Sequence, residues 1–189
     1  MSLVPAFELG IWNAWIFMLC ELLTFPFFFR VAKGRAAEDR GQITTMSKAE
    51  RITLCSSKII YIPAFIYSIF LPLKLGTVWF YVGLPITLIG FITGIIVLVN
   101  WASSPLGEPV VRGLYRYSRH PMYVTTFVFL LGISIATASW VFLLFTILLT
   151  AACVYFATAE EGGCLKQYGN TYREYMNKTP RWIGIPKHK

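Results

Sequence analysis

PMYVTTFVFLLGISIATASWVFLLFTILLTAACVYFATA, residues 121–159, runs for 39 positions without a Lys, Arg, Asp or Glu. About 20 apolar residues suffice to cross a bilayer, so this run crosses twice, and Ala138-Ser139 is the only plausible turn inside it. At about 1.5 Å per residue the limbs 121–138 and 139–159 are ~27 and ~32 Å long, one membrane thickness each. Such a hairpin returns Glu160-Glu161 to the membrane face that holds Arg119-His120. An acidic corner and a basic corner then share one boundary.

Outward from the hairpin, residues 79–101 are uncharged, residues 59–73 are uncharged, and residues 7–29 carry only Glu8 and Glu21. With 56% hydrophobic and 14% charged residues in a chain of 189, against about 25% charged in soluble domains, a water-soluble globule is excluded. The expected fold is an all-α integral membrane protein with five transmembrane helices, near 7–29, 57–75, 78–101, 121–138 and 139–159. Residues 1–77 would form two N-terminal spans with a basic linker, and residues 78–189 a core of three spans, a loop and a tail.

Sixteen of the seventeen Lys and Arg fall in the linker after span one, the linker after span three and the tail; Lys74 alone falls on the other side. Basic residues are retained on the cytoplasmic side of short loops, which predicts the N-terminus outside and the C-terminus inside. The first span lacks a basic region before it, so it is expected to stay in the mature protein. The net charge of +8 flanks spans, which favours lipid headgroups over nucleic acid. Cys20, Cys55, Cys153 and Cys164 show no C-x-x-C and no His at ligand spacing, so neither a disulfide framework nor a metal site is expected. Gly90 and Gly94 form a G-x-x-x-G that reads as a close helix contact.

The polar residues collect at the hairpin mouth. Pro121 suits the first turn of span four, where its missing N–H is no loss, and this sets His120 at a helix N-terminus that favours an anion. Arg112, Arg116 and Arg119 add positive charge. Glu160 and Glu161 sit where a helix end disfavours acids by about 0.3–1 kcal/mol, so either the helix runs on or a cation lies close. Gly162-Gly163 weakens simple continuation, while Leu165, Tyr168, Tyr172 and Tyr175 recur at helical spacing and predict a short amphipathic cytoplasmic tail helix over the mouth. An anion site, an acid pair and aromatic rings together suit S-adenosylmethionine; a nucleotide or an anionic lipid headgroup would use much of the same set.

Arg112-Gly113-Leu114-Tyr115, then Arg119-His120-Pro121-Met122-Tyr123, Glu160-Glu161, and Tyr168-Gly169 with Tyr172, Tyr175, Pro180 and Arg181 resemble the signature of isoprenylcysteine carboxyl methyltransferases and phospholipid methyltransferases. The resemblance covers about residues 78–183. It implies a membrane enzyme that binds S-adenosylmethionine on the cytoplasmic side and takes a lipophilic acceptor from the bilayer, either an isoprenylcysteine carboxylate or a phospholipid amine. It implies Tyr115, Arg119, His120, Pro121, Tyr123, Glu160 and Glu161 as cofactor-binding residues, and Arg116, Arg119 and Glu160 as catalytic residues. Leu98-Val99-Asn100 and Val154-Tyr155-Phe156 are uncharged where the prenylcysteine enzymes generally place basic residues. Two other classes compete: a nicotinamide-dependent reductase, since sterol reductases resemble this region, and a non-catalytic lipid-binding membrane module. Glu21, in mid-span, is either a candidate base or a neutral hydrogen-bonded group.

Overall fold

In the computed structural model, residues 7–44 and 61–186 are described. Every regular element among them is helical: α1 (Trp15–Val31), α2 (Lys33–Thr44), the helical residues 61–69 (α3), α4 (Val78–Ala102), a 3-10 turn at Gly113–Arg116, α5 (Pro121–Ala136), α6 (Trp140–Tyr168) and α7 (Asn170–Lys178). Lys48, Arg51, Cys55 and Lys58 of the first linker, the start of the expected second span, and Lys187 and Lys189 lie outside the described residues.

Among the described residues two helices are long and apolar enough to cross a membrane, α4 and α6. Residues 15–28 of α1 and Pro121–Ala136 are shorter apolar helices. Along α4, Ile89, Ile92, Ile96 and Val99 form an exposed apolar stripe, and Leu144, Ile147 and Leu148 do so on α6. Stripes of that size facing outward suit lipid rather than water.

Expected boundaries shift in three places. The first apolar segment is helical only from Trp15, because Asn13 pairs in an antiparallel bridge with Pro72. Its side-chain amide donates to the carbonyls of Glu8 and Ile69, both at 2.7 Å, so residues 8–14 are tied to the chain after α3 instead of extending α1. For the same reason the second expected span stops at residue 69, well before 75. The third shift is at the C-terminal end. Gly162-Gly163 does not interrupt α6, which continues to Tyr168 and ends at Gly169, whose φ of 56° is a left-handed conformation open to glycine. Leu165 and Tyr168 therefore lie on α6, and Tyr172 and Tyr175 on α7, instead of on one tail helix.

The hairpin turn falls where the sequence places it. Ala138 adopts φ 50°, and Ser139 caps α6, its hydroxyl accepting from the Phe142 amide at 3.2 Å. Across the hairpin the buried hydroxyls of Ser134 and Thr146 are 3.1 Å apart, a polar contact between helices whose surroundings offer no water.

The closest helix pair is α4 with α5. A Cβ on Gly83 would strike the backbone of Ala136 and Gly132, one on Gly90 the backbone of Phe129, and one on Gly132 the backbone of Thr87. The small-residue seam is thus Gly83, Gly90 and Gly132, whereas Gly94 of the expected motif has only an ordinary contact, its Cβ position 3.6 Å from Thr125 Oγ1. Gly90→Ala is expected to destabilise the protein by about 1–3 kcal/mol through overpacking, with Gly94→Ala near neutral. Thermal unfolding of both variants in one detergent checks this, and equal midpoints would contradict the seam.

Candidate active site

The α4–α5 seam holds α5 against α4 along its second half, and the hairpin sets α6 beside it. Together they bring Arg119, His120 and Tyr123 to Glu160 and Glu161. His120 is the N-cap of α5, followed by Pro121 at the first helical position. Its buried ring lies between the two carboxylates: Nε2 is 3.1 Å from Glu161 Oε1 and Nδ1 is 3.4 Å from Glu160 Oε2. The two rings of His120 and Tyr123 stack at 5.5 Å with planes 8° apart, one helical turn apart on α5, and the Tyr123 hydroxyl donates to Glu160 Oε2 at 2.9 Å.

Glu161 is held from three sides. Besides His120, Arg119 Nη2 lies 3.4 Å and Arg181 Nε 3.3 Å from its Oε1. Both ways of relieving an acidic pair near a helix end operate here: α6 runs on to Tyr168, beyond the pair, and cations converge on it. Arg181 was not among the residues singled out for this site by sequence, nor was Trp182, whose ring centroid is 5.7 Å from that of His120.

The tail reaches the site because it folds back over the Tyr115–His120 segment. Arg119 N donates to the Pro180 carbonyl at 3.0 Å, Gly184 N to the Tyr117 carbonyl at 3.0 Å, and the Tyr175 hydroxyl to the Tyr115 carbonyl at 2.7 Å. Tyr172 and Tyr175 are the buried face of α7. Their helical spacing was legible; that a hydroxyl from this face would seat the basic segment, delivering Arg181 and Trp182, was not.

Tyr115 packs in a cluster with Ala32, Ala36, Val97 and Trp101. Arg116, expected as a catalytic residue, lies apart from the carboxylate pair: among the described residues it makes no ion pair with Glu160 or Glu161, and it is exposed, lining a groove of about 600 Å³ with Tyr117, Glu174 and Lys178. Glu21 is buried and accepts from the Tyr61 hydroxyl at 2.9 Å in the N-terminal half. Among the described residues no group of His, Cys, Asp and Glu is arranged to hold a metal.

Two guanidinium donors in the cluster, Arg119 Nε and Arg181 Nε, are buried without a hydrogen-bond partner. Arg181 Nε is near Glu161 but lacks hydrogen-bond geometry to it. Buried orphan donors are costly, and a carboxylate would satisfy both. The half-exposed Glu160 side chain offers an acceptor to an ammonium or hydroxyl group. The arrangement is thus suited to a zwitterion beside aromatic rings.

Residues 103–171 match the phospholipid methyltransferase family, and the resemblance read from Arg112–Tyr123 and Glu160-Glu161 falls inside that segment. Over 78 residues the chain is 36% identical to a protein-S-isoprenylcysteine O-methyltransferase of Schizosaccharomyces pombe, a stretch covering 41% of this chain and 32% of that protein. The matched region is therefore about a third of that relative's length. No solved structure matches the chain.

Burial alone would lower the His120 pKa, but the hydrogen bonds and charges of Glu160 and Glu161 outweigh it and raise the value above the usual one. A raised pKa in the folded state stabilises the fold fully below the unfolded value, about 6.5, and this stabilisation is lost as pH rises through the folded value. The unfolding midpoint of the ligand-free protein should accordingly fall as pH climbs above about 6.5. His120→Gln should flatten that slope. A slope unchanged in the variant would show that the imidazole is not charged between the two carboxylates.

Proposed function

We propose that the chain is an integral membrane methyltransferase that uses S-adenosylmethionine to methylate a lipophilic acceptor. The single observation that carries the reading is the convergence of Arg119, His120 and Arg181 with Glu160 and Glu161 at one end of the α5–α6 hairpin, within or beside the segment matched by the family. The positive-inside distribution supports a cytoplasmic site with the C-terminus inside. Residues 78–189 are proposed as the methyl-transfer core and residues 1–77 as its N-terminal support.

The residues fit the donor through the groups left unsatisfied. Arg119 and Arg181 would meet its carboxylate with their guanidinium groups, whose Nε donors lack hydrogen-bond partners. Glu160 and Glu161 would accept from its amino group or ribose hydroxyls. Tyr123 and Trp182 present ring faces suited to a sulfonium, while His120 holds the two carboxylates in place and Tyr115 and Pro121 shape the backbone around them. S-adenosylmethionine, when bound, supplies an electrophilic methyl group on a positively charged sulfur.

The protein's share of the catalysis is positioning and dehydration. The hairpin and the folded-back tail hold both corners in place before any ligand arrives, and the apolar ends of α5 and α6 keep water low. A carboxylate acceptor loses its charge on methylation, so a dry site with Arg119 close by favours it. An amine acceptor must also lose a proton, and Glu160, the more exposed of the pair, is placed to receive it. The family match is to phospholipid methyltransferases and the relative is named for isoprenylcysteine; both acceptor classes are lipids carrying a polar reacting group.

Purified protein in detergent should bind S-adenosylhomocysteine, and His120→Ala or Glu160→Gln should weaken that binding by roughly 10- to 100-fold, the scale for losing one partner of a buried charged contact. Incubation with methyl-labelled donor and a total lipid extract should then label a lipid. Label released as methanol by alkali marks a carboxylate acceptor, and alkali-stable label marks an amine. Unchanged affinity in both variants, or no labelled lipid, would reject the proposal.

A further inference from the structure

The sequence of the first linker reads as topology-setting charge, yet the structure builds part of it into a node at the other edge of the core. Arg35 of α2 is buried, 4% exposed. Its Nη1 lies 3.0 Å from Glu38 Oε2 and 2.9 Å from each of the Pro105 and Glu108 carbonyls. Glu38 Oε1 in turn accepts from the Gly107 amide at 3.2 Å, the Gln167 side-chain amide at 2.9 Å and the Tyr168 hydroxyl at 2.8 Å. Beneath the node, Ala32 and Ala36 pack on Val97, Trp101 and Tyr115, and Gly34 approaches Leu106.

The node joins three stretches far apart in sequence: α2, the loop 103–112 and the last turn of α6. Each of the last two leads to one corner of the donor site. The loop runs directly into Arg112–His120, and Tyr168 lies seven residues after Glu161 on α6, two turns on and on the same face. A buried ion pair is weak support for stability in itself, since its desolvation offsets its attraction. Its geometric specificity is the stronger property, because the pair joins donors and acceptors from three segments at hydrogen-bond distance.

We propose that Arg35 and Glu38 are positioning residues that set the spacing between the Arg119-His120 corner and the Glu160-Glu161 corner, acting through Gly107 on one side and Gln167-Tyr168 on the other. The inference rests on the donor-site reading above and extends it to the N-terminal quarter of the chain. It assigns α2 a part in methyl transfer that its basic, hydrophilic sequence does not suggest.

The test compares the parent, Tyr168→Phe, Glu38→Gln and the double variant, in detergent and well below their unfolding midpoints. Tyr168→Phe deletes one hydroxyl and keeps the ring, so it tests the node even where Glu38→Gln, which leaves Arg35 uncompensated, folds poorly. S-adenosylhomocysteine affinity should fall roughly three- to ten-fold in Tyr168→Phe, the range for losing one hydrogen bond. The KM for the lipid acceptor should stay within about two-fold. In the double variant the loss should be less than the product of the single losses, because both act through one carboxylate. Parent affinity in both single variants, losses that multiply, or an effect on unfolding temperature with no change in affinity would overturn the proposal. A parent protein that binds no S-adenosylhomocysteine would instead remove the donor-site reading, and the positioning role with it.

Discussion

A carboxylate that is almost fully enclosed within a largely apolar helix has to be met by positive charge, and Glu161 sets that condition for the whole C-terminal half. Arg119, His120 and Arg181 meet it from three directions at 3.1–3.4 Å. They arrive by two routes: Arg119 and His120 on the N-cap segment of α5, a helix packed on α4 along the glycine seam, and Arg181 on the tail, which is fixed by Tyr175 and the Pro180 and Gly184 backbone contacts. Seam, turn and tail are thus parts of one electrostatic solution. The Nε atoms of Arg119 and Arg181 have no hydrogen-bond partner, so this solution leaves donor capacity unused.

Much of this was readable from residue order because the hairpin is set by length. Thirty-nine uncharged positions admit only two crossings, and two crossings return the chain to its starting face whatever the details of packing. Pro121 as a helix start and the Ala138-Ser139 turn follow from local rules of the same kind. What escaped were the contacts made by segments distant in sequence. Asn13 reaches Ile69 and so shortens both N-terminal apolar helices, an outcome no hydropathy window contains. Gly162-Gly163 has low helix propensity, yet α6 passes through it, since Glu161 on one side and Tyr168 on the other are both held by partners. Arg116 and Arg119 look alike in a basic run, and only the folded chain separates an exposed groove cation from one that pairs with Glu161.

The N-terminal region shows the same division. Its apolar runs were legible as helices, while α2, placed in sequence by charge alone, turns out to carry a buried arginine and a carboxylate that gathers donors from two other parts of the chain. Charge counting assigns such residues to a solvated surface, and burial reassigns them. The stretch from Glu161 to Tyr168 is continuous helix, so the node and the carboxylate pair share α6.

Photochemical attachment of methyl-labelled S-adenosylmethionine to the purified protein, followed by peptide mapping, tests the central claim most directly. The account requires label on peptides containing residues 115–123 and 156–183, the two corners that share the pocket, and its suppression by excess S-adenosylhomocysteine. Label confined to the α1–α3 region, or label that the competitor does not displace, would contradict it.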